Sequence, residues 1–95
     1  MNLDKTTAKK IKDTILQNSK IKKIILFGSR AKGTAKSNSD IDLSLVGDDL
    51  HFKDMCEISS KLDEMNLPYK IDLVNYYKIS NRKLKEHIDR VGIGI

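Results

Sequence analysis

The most constraining feature of this chain is an alternation of polar and apolar residues within the segment 40–46. The alternating residues are Asp40, Ile41, Asp42, Leu43, Ser44 and Leu45. Because successive side chains of a strand point to opposite faces, the alternation predicts a strand with one apolar face and one face that carries both carboxylates.

Further segments of the chain carry strand or helix periodicity. Residues 21–27 end in a continuous apolar run, which predicts a central strand buried on both faces, and residues 69–75 alternate again. Residues 5–18 and 50–65 and the stretch after Ser80 place apolar side chains at helical spacing. We expect Gly47-Asp48-Asp49 to cap the second helix and Ser80 to cap the last.

The order of these segments predicts an α/β (α+β) fold in one layered domain over residues 1–95. The chain ends on the apolar residues Ile93-Gly94-Ile95, which we expect to pack on the sheet or on a partner. A core of this size is small, which favours a homo-oligomer or a hetero-oligomer.

Composition narrows the class of protein. No apolar run reaches the roughly 18–20 residues of a membrane span, and the first residues lack the apolar region of a signal peptide. The one cysteine, Cys56, excludes an internal disulfide and a cysteine-built zinc site, and we expect it to be a small core residue. A cytoplasmic protein without a membrane partner is the expectation.

The net charge of +5 comes mostly from lysine. Such a surface is most simply a solvated one, and otherwise attracts nucleotides, RNA or an acidic partner. Aromatic residues make up 5% of the chain and form no stacking platform, which argues against nucleic acid as a ligand. We expect His51 and His87 to lie on the surface or at helix ends.

Three aspartates, Asp40, Asp42 and Asp72, occupy strands whose alternate residues are apolar. If the two strands are neighbours, the three carboxylates converge, and two of them about 5 Å apart repel by about 3 kcal/mol at an effective dielectric near 20. A divalent cation removes that cost, and carboxylates without nearby Cys or His favour Mg²⁺ or Mn²⁺. The alternative is the solvated face of an exposed strand.

The segment after the first strand adds candidate phosphate ligands. Gly28 allows close backbone approach, and Ser29 adds a hydroxyl at the start of a short helical turn. Arg30 and Lys32 are either phosphate ligands or solvated helix charges. Gly28 and Gly33 have the spacing of a P-loop, but the required Lys-Ser/Thr does not follow, so we exclude one.

The stretch from Gly28 to Leu43 resembles the signature of polymerase-β-like nucleotidyltransferases, which is Gly-Ser, ten residues, then Asp-x-Asp. Asp72 matches the later strand acid of that family. The length and the form Gly-Ser-Arg-Ala-Lys-Gly resemble the minimal nucleotidyltransferases (MNT), the antitoxin half of HEPN/MNT toxin–antitoxin pairs. The resemblance covers about residues 21–75.

The resemblance implies a nucleotidyltransferase fold, with a small mixed sheet flanked by helices. It implies that Gly28 and Ser29 hold the triphosphate of ATP and that Asp40 and Asp42 bind two Mg²⁺ ions. Asp72 would bind the second ion and help to deprotonate the acceptor hydroxyl. The implied reaction moves AMP onto a tyrosine of a HEPN-type toxin, which it silences.

Three other functions stay open from the sequence. The acceptor could be a small molecule of the aminoglycoside type, the protein could neutralise a toxin by contact alone, or it could bind RNA. The nucleotide, the acceptor and the oligomeric state are not determined by the residues.

Overall fold

The computed structural model describes residues 2–95. The elements in chain order are α1 (Lys5–Ile15), β1 (Ile21–Phe27), α2 (Gly28–Lys32), β2 (Ile41–Gly47), α3 (Phe52–Asp63), β3 (Ile71–Asn75), a 3₁₀ turn (Tyr76–Lys78), α4 (Arg82–Val91) and β4 (Ile93–Gly94). The predicted helices and strands are therefore present, with ends that differ by a few residues.

The strands form one mixed sheet in the order β3-β2-β1-β4. β1 pairs antiparallel with β2 and with β4, whereas β2 and β3 run parallel. The mixed sheet confirms the predicted architecture. The apolar end of the chain packs on the sheet as β4, where Ile93 pairs with Leu26 of β1.

The core lies on the sheet face that is turned away from the aspartates. The apolar residues of β2 that alternate with Asp42 are fully buried there, together with the apolar faces of α1 and α3. The core residues of α1, β1, β2 and α3 are Ile11, Ile15, Ile21, Ile24, Leu26, Ile41, Leu43, Leu45, Ile58 and Leu62. α4 lies against β1 and buries Ile88. The aspartate side of the sheet is therefore covered only in part.

Several local predictions are wrong in detail. The N-cap of α4 is Asn81, whose Oδ1 accepts from Leu84 N at 3.1 Å, because the helix begins one residue later than Ser80 would require. α3 begins after His51, and Asp54 accepts from His51 N at 2.9 Å, so Gly47 only ends β2 and residues 48–49 form the turn that follows it. Cys56 is exposed, because α3 turns Ile58 inward instead.

No helix within residues 2–95 is long and apolar enough to span a bilayer.

Candidate active site

Asp42 and Asp72 are register partners on the neighbouring parallel strands β2 and β3. Because residues in register on adjacent strands share a face, both side chains leave the sheet on the same side. Both are half-buried, whereas Asp40, just before β2, is exposed. The strand order therefore brings the predicted acidic residues to one end of the sheet.

The carboxylates are close enough to affect one another. Burial raises the pKa of Asp42 above its usual value, and the charges of Asp72 and then Asp40 raise it further. Lys70 Nζ lies 3.8 Å from Asp72 Oδ1, but the Lys70 side chain is 73% exposed and that of Asp72 43% exposed, so this ion pair offsets little of the repulsion. The cluster carries excess negative charge that a cation would neutralise.

The Gly-Ser turn meets this cluster because Phe27, the last residue of β1, pairs with Asp42. Gly28 follows with φ +75°, and a Cβ built on it would overlap Asp42 Oδ2 and lie 3.3 Å from Asp42 Cγ. The main chain of Gly28 therefore lies directly against the carboxylate, and a larger residue does not fit there. Ser29, in α2, is half-buried beside it.

Arg30, one of the predicted phosphate ligands, makes its described hydrogen bonds within the fold. Its side chain is 6% exposed. Nε and Nη2 donate to the Ser39 carbonyl at 3.2 and 2.8 Å, and Nη1 donates to the Asn2 carbonyl at 2.7 Å. A buried guanidinium needs such acceptors, and here the fold supplies them. The interactions described for Arg30 are structural.

Lys32 stays available for a ligand. It lies at the end of α2, is exposed, and forms no ion pair with the acidic side chains of the described chain. Among the two basic residues predicted near the phosphates, Lys32 alone has this freedom.

His87 was expected on the surface, and the structure corrects this. It is half-buried on α4, with its ring edge-to-face on Phe27 at 6.2 Å between centroids. Its charge lowers the pKa of Asp42, opposing the neighbouring acids. The spacing of Leu84, His87, Ile88 and Val91 places His87 on the sheet-facing side of the helix, which was the missed signal.

The residues fit Mg²⁺ by their chemistry, because aspartate oxygens are ligands of the kind this ion prefers. Within residues 2–95, no three acidic, His or Cys side chains already form a ready metal cluster. Mg²⁺ is usually held by one or two carboxylates together with substrate phosphates and water. Asp42 and Asp72, with Asp40 beside them, would supply the carboxylate share.

Comparisons with known proteins agree with this geometry. Residues 9–95 match the profile of the family described as Polymerase beta, Nucleotidyltransferase. A protein of Methanocaldococcus jannaschii that bears the name protein adenylyltransferase MJ1379 is 31% identical over 90% of this chain and 87% of its own length. The protein adenylyltransferase MntA of Haemophilus influenzae is 37% identical over 53% of this chain. The matched region spans 45% of that relative's length.

Solved structures give the same result. A toxin–antitoxin pair named MntA-HpeT, in a variant with two aspartates two positions apart replaced by glutamate, matches with a TM-score of 0.75 and 28% identity. A toxin–antitoxin structure with AMP-PNP matches with a TM-score of 0.71 and 28% identity. Both matches cover 90% of this chain and 69% of the other chain.

A minimal nucleotidyltransferase, 23% identical, shares the fold with a TM-score of 0.74 over 98% of this chain and 97% of its own. Since the profile match extends over the acidic cluster and the Gly-Ser turn alike, the chain belongs to the polymerase beta nucleotidyltransferase family.

Proposed function

We propose that this protein transfers AMP from ATP, with Mg²⁺, onto a hydroxyl of a toxin protein and thereby acts as its antitoxin. The observation that carries the proposal is the register pairing of Asp42 with Asp72 beside the main chain of Gly28. That arrangement suits phosphoryl chemistry, which needs positioning and charge neutralisation more than a protein nucleophile.

In the proposed reaction, the acceptor oxygen attacks the α-phosphorus of ATP. A new P–O bond forms to the acceptor, the bond between the α-phosphorus and its bridging oxygen breaks, and pyrophosphate leaves with the electron pair. Asp72, half-buried and reachable, takes the hydroxyl proton. Bound Mg²⁺ would supply charge neutralisation at the phosphates.

The remaining residues would bind the nucleotide. The Asp42 carboxylate takes the space beside Gly28, so the Gly28-Ser29 turn would hold the phosphates by its main-chain N–H groups and by the Ser29 hydroxyl, which is a further donor. Lys32 is exposed and free to meet phosphate charge. Asp40, Asp42 and Asp72 would hold the metal, and the burial and neighbouring negative charges that raise the pKa of Asp42 support a cation there.

The names of the matched proteins support ATP and a protein acceptor. Two relatives are named protein adenylyltransferases, and one matched structure contains AMP-PNP. The two aspartates replaced in the MntA-HpeT variant have the same spacing as Asp40 and Asp42. We propose, on the resemblance to MNT proteins, that the partner is a HEPN-type toxin and that the acceptor hydroxyl belongs to a tyrosine.

The test follows label from α-labelled ATP and Mg²⁺ into a lysate of the protein's own host. Wild type is expected to label one discrete protein band, and both Asp42→Asn and removal of Mg²⁺ by EDTA are expected to abolish the label. Mass spectrometry of the band identifies the acceptor and the modified residue.

Asp48→Asn is the matched control. Asp48 comes directly after the opposite end of β2 and is exposed. Its Oδ2 lies 3.7 Å from Nζ of the exposed Lys22, so loss of this ion pair costs little stability. Label in a small molecule would contradict the protein acceptor and favour an aminoglycoside-type substrate. No transfer from any of the four nucleotides, with toxin protection retained by Asp42→Asn, would favour neutralisation by contact.

A further inference from the structure

Arg30 connects three separate segments of the chain at the edge of the candidate site. Two of its N–H groups donate to the Ser39 carbonyl, at 3.2 and 2.8 Å, and a third donates to the Asn2 carbonyl at 2.7 Å. Its guanidinium carbon lies 4.6 Å from the centre of the Tyr69 ring. One side chain thus contacts the N-terminal segment, the loop before β2 and the segment before β3.

The contact with Ser39 fixes the main chain that leads into the first two acids. Ser39 immediately precedes Asp40, and its carbonyl receives a two-pronged donation that only a guanidinium fork can make. Ser39 N also donates to the Lys36 carbonyl at 3.0 Å, and Lys36 N donates to Ser39 Oγ at 2.9 Å. The turn 36–39 is therefore closed by its own hydrogen bonds, and Arg30 holds it in place.

The contact with Tyr69 reaches the third acid. Tyr69 lies three residues before Asp72, and the next residue, Lys70, accepts a hydrogen bond from Ile41 N at 2.8 Å. This bond joins the beginnings of the two strands that carry Asp42 and Asp72. Arg30 therefore contacts both segments that enter the acidic cluster, one on each side.

Asn2 also forms hydrogen bonds that hold the N-terminal segment to Arg30 and to the loop after α2. Its N–H donates to the Arg30 carbonyl at 2.8 Å, and its Oδ1 accepts from Ala35 N at 3.3 Å. The N-terminal segment is thus bonded both to α2 and to the loop that follows it. The guanidinium is buried, Ser39 is half-buried and Asn2 is exposed, and charge-assisted bonds are strong where the donor is shielded from water.

We propose that Arg30 is a positioning residue, which sets the separation of Asp40 and Asp42 from Asp72 by holding the Ser39 carbonyl and the Tyr69 ring together. It does this without contacting the nucleotide. The reason why this separation matters rests on the proposed function. The contacts of Arg30 themselves, which we call the clamp, are present in the chain without ligands.

Two variants separate this role from a phosphate contact. Arg30→Lys keeps the positive charge but loses the planar fork, so a phosphate ligand would be partly rescued and a clamp would not. Tyr69→Leu removes the stacked ring and leaves the guanidinium bonds in place, so it is expected to show the same changes to a smaller extent. Arg82→Lys, at an exposed arginine that begins α4, is the control.

The first measurement is trypsin cleavage after Lys36 without metal or nucleotide, and the second is Mn²⁺ affinity followed by electron paramagnetic resonance. Arg30→Lys is expected to be cleaved at least about tenfold faster and to bind Mn²⁺ about tenfold more weakly, within the range for lost support of metal ligands. A residue that only stabilised the fold would lower Tm and leave the Mn²⁺ affinity of the folded protein unchanged.

Unchanged cleavage and unchanged Mn²⁺ affinity in folded Arg30→Lys would overturn the proposal. Weaker AMP-PNP binding with unchanged cleavage and Mn²⁺ affinity would overturn it in favour of a phosphate contact. If Arg30→Lys did not fold, the same readouts on Tyr69→Leu would decide. If wild type bound Mn²⁺ neither alone nor together with AMP-PNP, the proposed function would fail, and the positioning of metal ligands would fail with it, even where cleavage showed the clamp to be real.

Discussion

Gly28 and Asp42 are in direct contact at the end of the β1–β2 pair. The glycine has φ +75°, and any Cβ on it would overlap the Oδ2 atom of Asp42. The turn that begins α2 and the aspartate at the second position of β2 are therefore fitted to one another, and neither can be enlarged without moving the other.

Gly28→Ala is expected to reduce AMP transfer by about 100-fold, since displacement of a catalytic group by about 1 Å costs on that order. The free energy of unfolding should also fall by about 1–2 kcal/mol, because an L residue is strained at this positive φ. Label transfer from α-labelled ATP and thermal unfolding measure the two effects.

Gly33→Ala is the matched control for strain. Its φ is +80°, but the nearest atom to an added Cβ is Asn2 Oδ1 at 3.8 Å. Gly33→Ala should therefore lose similar stability and keep transfer. Equal loss of transfer in both variants would show that backbone strain, and not the contact with Asp42, is responsible.

Asp42→Asn is expected to raise Tm in the absence of metal at pH 7. The folded-state pKa of Asp42 lies above the unfolded value because of burial and of Asp72 and Asp40, so the folded chain retains the proton to higher pH. Stability from this group is then present at low pH and lost as pH rises through the folded pKa. The asparagine removes the ionised form and this loss.

Mg²⁺ should reverse the order of the two Tm values, so that wild type becomes more stable than Asp42→Asn. Wild type at a metal concentration of 100 times Kd gains about 2.7 kcal/mol by linkage, whereas Asp42→Asn should gain little. Asp48→Asn, at the exposed far end of β2, should behave as wild type in both conditions. A lower metal-free Tm for Asp42→Asn than for wild type would refute the charge-repulsion account.

The alternation at residues 40–46 predicted β2 and its two faces because strand periodicity is local. That Asp72 would stand beside Asp42 could not be predicted, since strand order is a property of the tertiary fold. The structure shows that β2 and β3 are neighbours, which is the condition for the carboxylates to converge. The functional roles of Asp40, Asp42, Asp72, Gly28, Ser29 and Lys32 remain predictions.

Arg30 shows the limit of local reasoning. Its position after Gly28-Ser29 favoured a phosphate contact, but its acceptors come from Asn2 and Ser39, and its stacking partner is Tyr69. Two of these partners are 28 and 39 residues away in sequence. Only the fold reveals such contacts. Helical spacing indicates the sheet-facing side of α4 for His87, but it does not indicate Phe27 as its partner.

Asp54 is expected to control part of the acid stability of the fold. Its carboxylate accepts from His51 N, Lys20 Nζ and Asn18 Nδ2, and these bonds lower its pKa from 3.8 to about 2, with the bond from His51 N as the largest cause. The stability it contributes is present above the unfolded pKa and is lost as pH falls toward about 2.

Asp54→Asn should therefore lower Tm at pH 7 and flatten the decline in stability between pH 4 and pH 2, which acid titration followed by circular dichroism measures. Asp63→Asn, at an exposed position on the same helix, should retain the wild-type decline. An unchanged acid profile in Asp54→Asn would rule out this bond network as its source.

Ser44→Ala is expected to stabilise the protein by about 1–2 kcal/mol, because a buried hydroxyl without a hydrogen-bond partner costs about that much. Ser44 is 0% exposed between Ile25 of β1 and Val74 of β3, and its Oγ finds no partner in the described part of the chain. Transfer should be retained, and urea unfolding measures the gain. Ser37→Ala, at an exposed loop position, should change stability by less than about 0.5 kcal/mol. A loss of stability in Ser44→Ala would instead mean that a buried water satisfies the hydroxyl.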